Sequence, residues 1–193
     1  ADGLCLALDF EAAGANFAGL HAEPWVQIVR IGRQNILLGQ LIDRGGDQHI
    51  PSGWLIFLAE LIHKNLENNT RGKIPLGYLD ATFHRDDFRR RDEPIKASEN
   101  RIPFIIEGKK VVLVDDVLFT GRTIRAAMDA LIAFGRPAKV ELLVMIDRKY
   151  NRELPIAPDY VGKTVNTMAS QRVLVELQAQ GHKQNKIWLI NKD

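Results

Sequence analysis

Apolar positions along the chain change period several times, and each change marks an expected element. Residues 35–42 form a short apolar run that reads as a buried strand, and residues 54–66 place Trp54, Leu55, Leu58, Leu61 and Ile62 on one helical face. Gly45, Gly46, Pro51 and Gly53 lie between them and mark a long turn. A strand-like stretch over 76–83 gives way to the charged segment 84–101, which holds Arg85, Asp86, Asp87 and the run Arg89, Arg90, Arg91 and has the composition of a mobile loop. An apolar strand over 109–114 ends in two aspartates. Ile124, Ala127, Met128, Leu131 and Phe134 then keep the helical period until Gly135, as a left-handed cap, and Pro137, which cannot continue a helix, stop it. Further strands are expected over 139–146, 160–165, 172–177 and 186–190, with a loop over 147–158. Strands alternating with helices predict an α/β fold with a mainly parallel sheet covered on both faces.

Composition narrows the class. With 193 residues, 46% hydrophobic and 26% charged, the chain is expected to form a single domain, residues 1–193, with a substantial core. Its 26 basic and 24 acidic residues give a formal net charge of +2, so no whole-molecule attraction to nucleic acid is expected, although a local basic patch stays open. The single cysteine, Cys5, excludes an internal disulfide framework and a cysteine-based zinc site, and fits a reducing, cytoplasmic setting. No apolar run reaches the roughly 18 to 20 residues that span a bilayer, and residues 3–8 are too short for a secretory signal, so a soluble protein without membrane association is expected. His21, His49, His63 and His182 show no metal-ligand spacing and read as surface or structural residues.

The sharpest feature is Val111-Val112-Leu113-Val114-Asp115-Asp116-Val117-Leu118-Phe119-Thr120-Gly121-Arg122-Thr123: a buried strand, a paired acid, and a glycine-containing turn that opens a helix. The strand brings Asp115 and Asp116 to the carboxyl edge of an open sheet, where ligands bind. Thr120 to Thr123 then offer backbone N–H groups and two hydroxyls at a helix N-terminus, which favours an anion, and Gly121 lets the backbone approach a phosphate closely. Phosphorylated ribose suits both halves. On composition alone a polar strand end accounts for the two aspartates about equally well. The acidic pair also resembles the magnesium-binding strand of nucleotide triphosphatases, but the chain contains no G-x-x-x-x-G-K-[ST] loop.

These thirteen residues resemble the motif by which type I phosphoribosyltransferases bind 5-phosphoribosyl-1-pyrophosphate (PRPP). In this form they closely resemble the family of bifunctional pyrimidine operon regulators and uracil phosphoribosyltransferases. The similarity covers residues 74–167, through Leu79-Asp80-Ala81-Thr82, Arg85-Asp86-Asp87, Arg101-Ile102-Pro103-Phe104, Gly135-Arg136-Pro137, Asp147-Arg148, Arg152-Glu153-Leu154-Pro155-Ile156 and Asp159-Tyr160-Val161-Gly162-Lys163. It implies a type I phosphoribosyltransferase-like central parallel sheet flanked by helices, a flexible lid over 84–101, and a small hood with C-terminal strands over 147–193. The implied reaction is uracil plus PRPP to uridine monophosphate (UMP) and pyrophosphate, in pyrimidine salvage, with Mg²⁺.

The resemblance also implies residue roles. Asp115 and Asp116 would hold the ribose hydroxyls, directly or through Mg²⁺, while Thr120, Gly121, Arg122 and Thr123 would wrap the 5-phosphate. Arg85 would reach the pyrophosphate from the lid, whereas Arg89 to Arg91 read as a solvated charge run. Phe119 stands where hypoxanthine-guanine enzymes carry an acid that exchanges a proton with the purine ring, which phenylalanine cannot do. Asp147 and Arg148 would recognise the base. A homodimer is also implied.

The similarity weakens in the first 70 residues. The nearest equivalent of the family's pyrophosphate loop is 39–45, which would make Arg44 a ligand, and residues 1–34 form a divergent N-terminal segment without the basic, histidine-bearing helix that helps the family's regulators bind messenger RNA. Lys149-Tyr150-Asn151 replaces a glycine and a histidine of the second RNA-linked region, and Ala157 replaces an arginine, while Arg152, Lys163 and Thr167 are kept. Two function classes remain: an enzyme that makes UMP from uracil, which the chemistry favours, and a UMP-sensing, RNA-binding regulator of pyrimidine operon attenuation. A phosphoribosyltransferase acting on another base is a variant of the first.

Overall fold

A computed structural model of the chain describes residues 4–6, 26–32, 60, 63, 64, 67, 73–86, 100–168, 170–176 and 186–191. Among these are the strands β1 (Leu4–Leu6), β2 (Val26–Gly32), β3 (Leu76–Asp80), β4 (Lys110–Leu118), β5 (Lys139–Lys149), β6 (Tyr160–Asn166), β7 (Gln171–Glu176) and β8 (Lys186–Asn191), and the helix α1 (Arg122–Ile132). A five-stranded sheet has the order β3-β2-β4-β5-β6 and is parallel throughout, while β1-β8-β7 form a separate antiparallel sheet.

Parallel sheets form where both faces are covered, and the central strands show this directly. Val111 to Val114 of β4 and Leu142 to Ile146 of β5 are buried without alternation. Helix α1 turns Ile124, Ala126, Ala127, Ala130 and Leu131 into the same core, against Leu79, Ile106, Leu113 and Leu118. Truncating a fully buried residue such as Leu131 to alanine costs about 2 to 5 kcal/mol. The helix ends as its sequence requires: Ile132 O accepts from Gly135 N at 3.3 Å, and Gly135 has φ 135°.

Several elements differ from the sequence expectation. The strand foreseen over 109–114 runs on to Leu118, because its pairing with β5 continues through Asp115 opposite Val144, Val117 opposite Ile146 and Leu118 opposite Asp147. Asp115 and Asp116 therefore lie inside β4 rather than beyond its end. The strand foreseen over 76–83 stops at Asp80 and passes into a single 3-10 turn, Thr82–His84. Strand β2, which sits between β3 and β4, comes from the segment 1–34 that showed no counterpart. The strand expected over 35–42, Arg44, and most of the helix expected over 54–66 lie outside the described residues. That helix is present at Glu60, His63, Lys64 and Glu67.

Since β2 to β6 run the same way, their carboxyl ends meet along one edge, which carries Asp80, Leu118, Lys149 and Asn166. At the base of the long charged loop, Tyr78 and Arg101 exchange backbone hydrogen bonds of 2.8 Å, and Asp80 N donates to Asn100 Oδ1 at 2.6 Å. The returning end of that loop is thus fastened to β3. At the opposite end, Glu141 on β5 is buried and accepts from Lys139 Nζ at 2.7 Å, Lys110 Nζ at 3.0 Å and Tyr160 OH at 2.9 Å, which ties together β4, β5 and β6.

Candidate functional site

Asp115 and Asp116 are adjacent in β4, just before its end at Leu118. Asp115 is 1% exposed, with both carboxylate oxygens sealed from solvent, and Asp116 is 8% exposed. Asp116 Oδ1 accepts from Val117 N at 2.6 Å. Their hard oxygen donors are of the type Mg²⁺ takes, usually as one or two carboxylates supplemented by substrate phosphates. No cluster of three or more His, Cys, Asp or Glu side chains suited to a metal occurs among the described residues.

Beyond β4 the chain turns sharply. Gly121 caps α1 with φ 91° and ψ −6°, a left-handed conformation that other residues adopt only with strain. A Cβ there would lie 3.2 Å from Ile156 Cδ1 and 3.5 Å from Leu154 Cβ, so the glycine also allows the 154–156 segment to pack on the turn. Thr120 O accepts from Glu153 N at 3.1 Å and Leu154 N at 3.2 Å, and Arg122 N reaches Thr120 Oγ1 at 3.4 Å.

The start of the charged loop lies against this turn. Arg85 Nη1 donates to Thr123 Oγ1 at 3.1 Å, and Arg125 Nη2 donates to His84 O at 2.9 Å. Arg122 is shared between two acids, donating to Glu153 Oε2 at 2.6 Å and to Asp86 Oδ2. The hydrogen bond to Glu153, then that to Asp86, raises its pKa above the ordinary arginine value. In this state Arg122 faces protein carboxylates, so a bound phosphate would have to compete for it.

Asp147 and Arg148 stand at the end of β5, beside the turn. Arg148 is buried: its Nε donates to Thr167 Oγ1 at 2.8 Å, its Nη2 to Gln171 O at 2.8 Å and Met168 O at 3.2 Å, and its guanidinium lies 4.0 Å from the centroid of the Phe119 ring. Burial lowers its pKa. The Asp147 carboxylate accepts a hydrogen bond from Arg152 Nη2. The structure thus gathers Asp115, Asp116, Thr120, Gly121, Arg122, Thr123, Arg85, Asp147 and Arg148 along one stretch of the sheet edge, and Arg44 falls outside the described residues.

Sequence reading missed the partners Asp86, Glu153 and Arg152 in this setting. By sequence Arg152 belongs to an RNA-linked region, yet its guanidinium turns inward onto backbone carbonyls and Asp147. No local sequence signal pairs Arg122 with Asp86 and Glu153, since these contacts span 36 and 31 residues.

Comparison with known proteins agrees with this arrangement. Residues 50–180 match the model of the phosphoribosyl transferase domain. The "Bifunctional protein PyrR" of Listeria welshimeri is 49% identical over 142 residues, covering 72% of this chain and 76% of that protein. Its counterpart from Enterococcus faecalis is 44% identical over 147 residues, covering 76% of each. In fold, the chain is similar to a hypoxanthine-guanine phosphoribosyltransferase of Bacillus anthracis, with a TM-score of 0.59 at 11% identity over 98% of this chain and 100% of that one. A hypoxanthine phosphoribosyltransferase of Staphylococcus aureus gives a TM-score of 0.55 at 15% identity, over 90% and 81%. The acid pair, the left-handed turn and the match over most of its length place this chain in the phosphoribosyltransferase family, among the relatives of the bifunctional PyrR proteins.

Proposed function

We propose that this enzyme transfers the 5-phosphoribosyl group of PRPP to uracil, forming UMP and pyrophosphate, at the carboxyl edge between β4 and β5. The observation that carries the reading is the left-handed Gly121 turn opening α1 directly after the acid pair of β4. Backbone N–H groups of that turn and the hydroxyls of Thr120 and Thr123 bind the 5-phosphate, and Asp115 and Asp116 engage the ribose hydroxyls. In the reaction the bond from the anomeric carbon to pyrophosphate breaks, a bond to uracil N1 forms, and the N1 proton is released.

Positive charge builds on the sugar as pyrophosphate leaves, so the residues act by stabilising charge and holding the reactants in place. Arg85 supplies positive charge to the leaving group from the root of the charged loop. That loop serves as the lid that excludes water from the cationic sugar. Asp115 and Asp116 would hold Mg²⁺, which when bound would supply neutralisation of the pyrophosphate charge. Asp147, at the end of β5, accepts an N–H of the base, and Phe119 gives a purine no proton partner.

An RNA-binding regulator that uses the same site to sense UMP is the second reading. The inward commitment of Arg152 removes one cation from the surface that such a role needs, so the enzyme stands first. The family likeness supports a homodimer, and the single cysteine, Cys5, supports a cytoplasmic location. No helix among the described residues is long and apolar enough to cross a membrane.

The test is turnover of radiolabelled uracil, orotate and hypoxanthine with PRPP and Mg²⁺. Uracil should be the preferred acceptor. Equal or better use of hypoxanthine would show the base assignment to be wrong, because a site lacking the proton partner leaves a purine unsatisfied.

A further inference from the structure

Three consecutive carbonyls leave the carboxyl end of β4, and all three are taken up by one short segment that follows β5. Arg152 Nη1 donates to Leu118 O at 3.1 Å and to Phe119 O, while Glu153 N and Leu154 N donate to Thr120 O at 3.1 and 3.2 Å. The same guanidinium reaches Arg148 O at 3.3 Å through Nη1, Ile156 O at 3.1 Å through Nε, and the Asp147 carboxylate through Nη2. One side chain, only 24% exposed, therefore serves five acceptors drawn from the end of β4, the end of β5 and the loop that packs on Gly121.

We propose that Arg152 is a positioning residue of the transfer reaction, a clasp that fixes the phosphate-binding turn relative to the base side of the site. The inference rests on the transfer reading given above. Arginine suits the task and lysine does not, because the planar guanidinium spreads its donors in a fixed fork whereas an ammonium is a compact point charge. The geometry also separates this role from simple reinforcement of the fold. Leu118 pairs with Asp147 at the end of the β4–β5 ladder, and the buried core of both strands precedes that point. Loss of the clasp leaves the core intact and frees the turn beyond it. Bond formation between a sugar held on the β4 side and a base held on the β5 side depends on their separation, and a displacement of about 1 Å costs on the order of 100-fold in rate.

The experiment compares Arg152→Ala and Arg152→Lys with the wild-type protein in four measurements. These are kcat and KM for both substrates, PRPP affinity by calorimetry, amide hydrogen exchange, and activity with added methylguanidinium. For Arg152→Ala the expected result is a kcat lower by about 100-fold, with PRPP affinity lowered by a smaller factor because the freed turn binds the 5-phosphate. Faster exchange should be confined to peptides covering 117–123 and 152–156, and methylguanidinium should restore activity saturably. Arg152→Lys should recover little. An unchanged kcat with unchanged exchange would overturn the proposal, as would faster exchange spread over the whole sheet, or a loss confined to PRPP affinity without rescue. Should the wild type itself fail to use uracil, the substrate reading falls, and exchange at 117–123 together with transfer to whichever base it does accept decides the role of Arg152.

Discussion

The guanidinium of Arg148 lies 4.0 Å from the centroid of the Phe119 ring, linking the end of β5 to the first residue beyond β4. Its remaining donors hold Thr167 Oγ1, Met168 O and Gln171 O, so the orientation of the phenylalanine is fixed from behind by a chain that leads to the start of β7. Phe119, the residue proposed to leave a purine without a proton partner, is thereby held in place by Arg148. In the proposed reaction Arg148 would act on the base by holding Phe119 in place.

Arg148→Met should lower the unfolding free energy by about 3 kcal/mol, because it leaves buried acceptors unsatisfied and removes the ring contact. Urea unfolding measures this. A loss within the range of ordinary surface substitutions would mean that water replaces the guanidinium freely.

Gly121→Ala should weaken both the fold and PRPP binding. The backbone at φ 91° costs a non-glycine residue about 1 to 2 kcal/mol, and the new methyl would press on Ile156. Thermal unfolding and PRPP calorimetry should both shift. Unchanged PRPP affinity would argue that the turn does not contact the phosphate.

The far end of the sheet makes a prediction about pH. Burial, and then the hydrogen bond to Glu141, raise the Tyr160 pKa from 10.0 to about 12. The folded state therefore favours the protonated phenol, and the resulting stability is fully present below pH 10 and is lost as pH rises toward 12. Glu141 behaves in the opposite sense. Burial alone would raise its pKa, but hydrogen bonds from Lys139, Lys110 and Tyr160 outweigh burial and leave it lowered from 4.5, so its contribution disappears as pH falls below that value. Urea midpoints of wild type and Tyr160→Phe should differ at pH 8 to 9 and converge between pH 10 and 12. A difference that stays constant across that range would exclude the phenol as its source.

What the sequence disclosed follows from which interactions are local. The run Val111 to Val114, the glycine after Thr120 and the period of α1 each leave a mark within a few residues, and these elements formed where expected. Strand β2 left no such mark: Val26, Ile28, Val29 and Ile31 follow neither strict alternation nor an unbroken apolar run, and Arg30 interrupts them. Its place is set by distant partners, with Arg30 paired to Tyr78 on one side and Val114 on the other. The end of β4 was misjudged for a related reason. Two aspartates look like the close of a strand, yet pairing with β5 carries the strand past them to Leu118. Arg152 was legible as part of a family motif, but its inward role depends on carbonyls more than 30 residues away, at Leu118 and Phe119.

The proposed engagement of the PRPP ribose by Asp115 and Asp116 is tested by PRPP-dependent formation of UMP in the double variant Asp115→Asn with Asp116→Asn. Each substitution keeps the size of the side chain, and circular dichroism with thermal unfolding establishes that the sheet persists. The folded double variant should lose activity by about 100- to 1,000-fold, on the scale of removing one preorganised electrostatic contact in a transition state. Turnover near that of the wild type would contradict the assignment of the site.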